Sequence, residues 1–150
     1  KRSLINNFGY CFKDYKNYPS ILDAKTLKNK HILNDINSKI IIKSLKVHHG
    51  SIKSICYIIN DKCAYAPDVN YIDSKNLRYL KNLKYFIVDC LRYNFHPTHF
   101  NLDDVLKLIR KLKPKKAILT NLSNEIDYNE IKKKLPKNVI PAHDGLTVLI

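Results

Sequence analysis

Methionine is missing from these 150 residues, glycine occurs three times, and 13 acidic side chains stand against 27 lysines and arginines. With Lys1 first and no methionine anywhere, the expectation is part of a longer or split product. No cysteine belongs to a Cys-x-x-Cys pair, and this excludes a thiolate zinc site of the usual spacing. Cys11, Cys56, Cys63 and Cys90 are expected reduced and packed, with Cys56 and Cys63 close across a hairpin but not bonded. No run approaches the roughly 18 apolar residues of a membrane span. No membrane partner is expected, and the cytoplasm is the expected location.

The shortage of acids leaves a net charge of +14. Such a balance suits nucleic acid or an anionic surface. Lysine outnumbers arginine, asparagine and isoleucine are abundant, and alanine and glycine are scarce, as AT-rich coding would produce. The basic residues are also spread along the chain. Their densest run, Lys111 to Lys116, follows a helix end, where cations suit the dipole. A nucleic-acid partner is therefore not expected.

What is present alternates strands with helices. Tyr85-Phe86-Ile87-Val88 is a short β-branched and aromatic run that stops at Asp89, so it reads as a buried strand delivering a carboxylate at its end. A loop with His96, Pro97 and His99 follows. Asn101, Asp103 and Asp104 then cap a helix to about Leu112 whose apolar positions are Leu102, Val105, Leu106, Ile109 and Leu112. Upstream, Ile40-Ile41-Ile42 and Leu45-Lys46-Val47 are strand material ending at His48-His49-Gly50. Ile55 to Ile59, a turn at Asn60-Asp61, and Cys63 to Ala66 make a hairpin leading to Pro67-Asp68. Three strands thus end in turn near His49, Asp68 and Asp89.

The remaining elements are expected as a strand around Gly9, a loop over 24–38, a helix over 74–83, a strand over 116–120, a helix over 127–135, and a closing strand over 146–150. Alternation from residue 40 onward argues an α/β fold in one domain, or part of one.

In order, the chain carries Val47-His48-His49-Gly50, Ala64-Tyr65-Ala66-Pro67-Asp68-Val69, Val88-Asp89-Cys90-Leu91-Arg92-Tyr93, His96-Pro97-Thr98-His99, Ala117 to Thr120 and Pro141-Ala142-His143-Asp144-Gly145. This series resembles the C-terminal half of metallo-β-lactamase-fold hydrolases, in the branch related to the phosphonate-pathway cyclic-phosphate phosphodiesterase. The resemblance implies a mixed sheet with flanking helices, half of an αββα sandwich, and metal-dependent cleavage of a small cyclic phosphodiester. It implies that His49 and Asp68 bind divalent metal, zinc or manganese, and that His99 acts on the leaving oxygen of a phosphate. Imidazole and carboxylate suit those metals.

Two departures bear on activity. The family's His-x-His-x-Asp-His motif does not occur in these residues, and after Thr120 the positions where the family places a further His hold Asn121 and Ser123. The chain alone is thus expected to be inactive. A separately encoded N-terminal half would complete it; the alternatives are a decayed, non-catalytic remnant serving as an interaction module, or a basic nucleic-acid-binding module. His48 is expected exposed and incidental, His96 to fix the Pro97 turn, and Asp89 to support the site from behind. His143 stands where the family commonly has Tyr and is assigned no role.

Overall fold

A computed structural model of the chain describes residues 2–35 and 38–150. Two short helices, α1 (Arg2–Asn7) and α2 (Gly9–Phe12), precede a seven-stranded sheet whose strands lie side by side in chain order. They are β1 (Lys30–Asp35), β2 (Ser38–His49), β3 (Ile52–Ile59), β4 (Cys63–Ala66), β5 (Tyr85–Asp89), β6 (Lys116–Thr120) and β7 (Val139–Pro141). The first four pair antiparallel and the last four parallel. Each parallel step is made by a helical crossover: α3 (Ser74–Leu77), extended by a 3₁₀ turn over Arg78–Leu80, then α4 (Leu102–Leu112), then α5 (Tyr128–Lys134).

Local chemistry explains the sharpest joints. Asn60 and Asp61 both take positive φ, 51° and 54°, and Lys62 N–H donates to Ile59 O at 3.0 Å. Such a turn needs two left-handed residues, and Asn and Asp tolerate that conformation best after glycine. The β3–β4 hairpin forms where it is expected. At the start of α4 the Asn101 side chain accepts from Asp104 N–H, Asp103 and Asp104 occupy the first turn, and Lys113 closes the helix in the left-handed conformation just before Pro114.

Register fixes the core. Ala64, Phe86 and Ala117 form one row across β4, β5 and β6, and Ala66, Val88 and Leu119 form the next. All six are fully buried, and they share one cluster with Leu77, Leu80, Val105, Ile109, Leu112 and Ile131 from the helical crossovers. The opposite face carries Tyr57, Tyr65, Ile87, Ile118 and Ile140 in a single row over five strands. There Tyr65 is 38% exposed, and Tyr57, Ile87 and Ile140 are half-buried.

Several expectations are corrected. The segment around Gly9 is helical rather than a strand, because Leu4, Phe8 and Phe12 also fall at helical spacing and Phe8 N–H closes on Leu4 O at 3.0 Å. Within the expected loop over 24–38, residues 30–35 form β1: His31, Ile32 and Leu33 pair with Ile42, Ile41 and Ile40. The part of that expectation on residues 36 and 37 lies outside the described residues. The two runs at 40–47 are one 12-residue strand, and the helix over 74–83 ends at Leu80, although Leu77, Leu80 and Leu83 are buried as expected.

Asp73 precedes α3 but gives it no side-chain cap, because its carboxylate accepts from His48 instead. Leu146 to Ile150 form no strand. β7 occupies the edge of β6, Leu149 is 80% exposed, and Lys84 Nζ holds its carbonyl at 2.8 Å. Cys63 stands opposite Ile59, and Cys56 opposite Leu45, so the two thiols do not face each other in the ladder. Both are free.

Candidate active site

The strand ends do converge. β5 ends on Asp89, which is fully buried and is the organising acceptor of the region. His99 Nδ1–H donates to its Oδ2 at 2.6 Å, Val69 N–H donates to the same oxygen at 3.3 Å, and Asn121 Nδ2 donates to Oδ1 at 3.1 Å. Burial pushes the Asp89 carboxyl above its ordinary value, while the hydrogen bonds from His99, Val69 and Asn121 pull it back. The bond to Asp89 fixes the His99 ring and leaves Nε2 for other chemistry. His99 keeps 15% of its side chain exposed. It does not cap α4, a role Asn101 fills.

His49 closes β2 and is held from the same loop. Its Nδ1–H donates to Thr98 O at 2.9 Å, so Nε2 carries the lone pair, the arrangement seen in metal-ligating histidines. Its ring meets that of His99 edge to face, centroids 4.6 Å apart, and His96 stands 5.1 Å from His99. His96 does hold the Pro97 turn, accepting from Thr98 N–H at 3.3 Å. Gly50, at φ +63°, lets the β2–β3 turn approach this loop: a Cβ there would lie 2.7 Å from Thr98 Cγ2.

Asp68 sits two residues beyond β4 and is exposed. Its neighbours are both tied to the cluster, Val69 through its N–H to Asp89 and Pro67 through its carbonyl, which accepts from Asn121 Nδ2 at 3.3 Å. His48 is not incidental: it is half-buried between Asp73, at 3.1 Å, and Lys53. His143 lies apart, edge-on to Tyr128 at 6.1 Å.

The donor set answers whether these residues suit a divalent metal. His49 has the right free nitrogen and Asp68 an exposed carboxylate. Asn121 turns its amide N–H groups toward Asp89 and Pro67, and it takes this position with a left-handed backbone, φ +64°. Among the described residues no three His, Cys, Asp or Glu side chains are grouped to hold an ion. His49 and Asp68 thus stand as two donors of the right type, without a third grouped beside them among the described residues. The role of Asn121 as partner of Asp89 was not legible in the sequence, where it registered only as a missing His.

A mixed seven-stranded sheet with helical crossovers is the architecture of the metallo-β-lactamase fold. A model of the β-lactamase superfamily domain matches residues 2–120, and the chain belongs to that superfamily. A diphosphatase from the PhnP family is 25% identical with a TM-score of 0.84, over 99% of this chain and 55% of that one. The metallo-β-lactamase fold protein YhfI from Bacillus subtilis is 16% identical with a TM-score of 0.69, over 95% of this chain and 60% of that one. Zinc-bound PqqB from Methylobacterium extorquens is 12% identical with a TM-score of 0.65, over 84% and 55%. The latter two speak to the fold alone. The chain spans about half the length of these structures, and no curated protein matches it.

Among the described residues no helix is long and apolar enough to cross a membrane.

Proposed function

We propose that the chain is the substrate-side portion of a metal-dependent phosphodiesterase acting on small cyclic phosphates, inactive by itself. The buried Asp89–His99 pair carries this reading. Asp89 orients His99 through Nδ1 and leaves Nε2 as the atom that passes a proton to the leaving oxygen of a phosphoester, a contribution of order 10²–10⁴ in rate. His49 and Asp68 are two donors toward zinc or manganese, and the remaining donors come from a separately encoded or preceding segment with the His-x-His-x-Asp-His motif. The row Tyr57, Tyr65, Ile87 and Ile140, partly exposed around the buried Ile118, supports such a segment, since a partly exposed sheet face suits a second sheet packed against it.

The test compares hydrolysis of 2′,3′-cyclic AMP, with zinc or manganese added, by the isolated 150 residues and by the protein purified from its source cells. Turnover is expected only where a polypeptide with the missing motif is present, and His99→Ala should reduce it at least 100-fold. Efficient turnover by the isolated chain, or activity indifferent to His99→Ala, would contradict the proposal. Asn121 favours a second reading, a chain that has lost catalysis and persists as an interaction unit; it requires that the native preparation show no turnover.

A further inference from the structure

Along the outer edge of β2 the backbone partners change. Ser44 N–H donates to Asn29 O at 3.0 Å, where β1 begins, and His48 N–H donates to Tyr71 O at 3.0 Å, where the chain returns before α3. Residue 46 lies in the same phase, because alternate residues of an antiparallel strand point their N–H and C=O to the same side. Its carbonyl accepts from Asn76 Nδ2 at 3.2 Å, while its N–H faces the gap between the two partners. A cavity of about 700 Å³ opens at this gap, between the start of β1 and α3. That is within the ~300–1,000 Å³ range of small-molecule sites.

Its lining is strongly cationic. Lys30, Lys43, Lys46, Lys53 and Lys75 contribute to it, against one carboxylate, Asp73. Lys43 is paired with Asp61 at 2.6 Å, Lys53 lies against His48, and Asp73 is engaged by the same His48. Lys30, Lys46 and Lys75 form no ion pair among the described residues. Tyr79 supplies an aromatic wall. The residue is 47% exposed, the Arg78 guanidinium lies 4.8 Å from the ring centroid, and Arg78 Nη2 donates to its hydroxyl at 2.7 Å. None of the residues that converge on Asp89 takes part.

We propose that this cavity binds an organic phosphate of nucleotide size. The phosphate oxygens meet Lys30, Lys46 and Lys75 and the outward N–H of residue 46, and the base lies against Tyr79. Ammonium groups serve as point-charge phosphate binders, and aromatic rings stack bases with little regard to sequence. The site stands apart from the Asp89–His99 pair and does not rest on the proposed hydrolysis.

Calorimetric titration of the full chain with ATP, and separately with inorganic tripolyphosphate, tests it. One saturable ATP site is expected. Lys46→Glu with Lys75→Glu should weaken both probes at least tenfold, Tyr79→Ala should weaken ATP while sparing tripolyphosphate, and His99→Ala should change neither. Lys115→Glu with Lys137→Glu makes the same charge change elsewhere on the surface; an equal loss there would show general attraction to a basic protein and overturn the proposal. Absence of saturable ATP binding, or binding indifferent to the Lys46 and Lys75 changes in variants whose circular dichroism matches the parent, would overturn it as well.

Discussion

Replacing Gly50 by alanine strikes the contact that holds the histidine loop against the end of β2. At φ +63° a residue with a side chain pays about 1–2 kcal/mol in backbone strain. The new Cβ would also lie 2.7 Å from Thr98 Cγ2 and 3.5 Å from Thr98 Cβ. Thr98 cannot withdraw freely, because its carbonyl accepts from His49 and its N–H donates to His96. Crowding of this kind costs about 1–3 kcal/mol.

The expected total is about 2–5 kcal/mol, roughly 4–20 °C in Tm for a domain of this size. Gly145→Ala is the internal control, since its φ is +81° but nothing lies within 4 Å of its Cβ position; only the backbone part, about 1–2 kcal/mol, should be lost. Thr98→Ser removes the methyl at 2.7 Å and should return the crowding part when combined with Gly50→Ala. The chain has no tryptophan, so thermal and urea unfolding are followed by circular dichroism. Equal losses for Gly50→Ala and Gly145→Ala, or no recovery in the double variant, would refute the close approach.

Burial pushes the Cys56 and Cys90 thiols up to about 12. Brief iodoacetamide treatment at pH 8 should therefore modify half-buried Cys11 and spare these two, as read by peptide mass spectrometry. Their native values lie above that of an unfolded thiol, about 8.5, so deprotonation favours the unfolded chain. Their contribution to stability is complete below about pH 8.5 and is lost as pH rises toward 12; urea midpoints that stay level across that window would contradict this. Asn121→His places an imidazole beside Pro67, next to Asp68, in a left-handed position that His tolerates. Zinc affinity, measured against a competing chelator, should rise at least tenfold, and an unchanged affinity would separate Asn121 from the metal side of the cluster.

The parts legible in the sequence were those with local chemistry of their own. Asn60-Asp61 dictates a tight turn whatever surrounds it, and Asn101 with Asp103 and Asp104 dictates a helix start, so both elements stand where they were expected. The segments that depend on partners were misread. His31, Ile32 and Leu33 become a strand only because β2 is long enough to offer them an edge, and Leu146 to Ile150 fail to become one because β7 already holds the edge of β6.

At the site, His49, Asp68, Asp89 and His99 could be singled out from their order, and the His99–Asp89 bond accords with a supporting role for Asp89. The grip of Thr98 O on His49 and of Asn121 on Asp89 was not legible, since a backbone carbonyl and an amide carry no signal of direction until the loops are placed. His48 looked incidental for the same reason, its partner Asp73 being 25 residues away.

The most direct measurement is the intact mass and metal content of the native protein isolated from its source cells. A product or stable complex well above 17.5 kDa, with peptides carrying His-x-His-x-Asp-His and bound zinc or manganese, is the expected result. It would make His49, Asp68 and His99 parts of a working centre. A metal-free 17.5 kDa chain without a companion would contradict the proposed enzyme and leave those residues inherited rather than used.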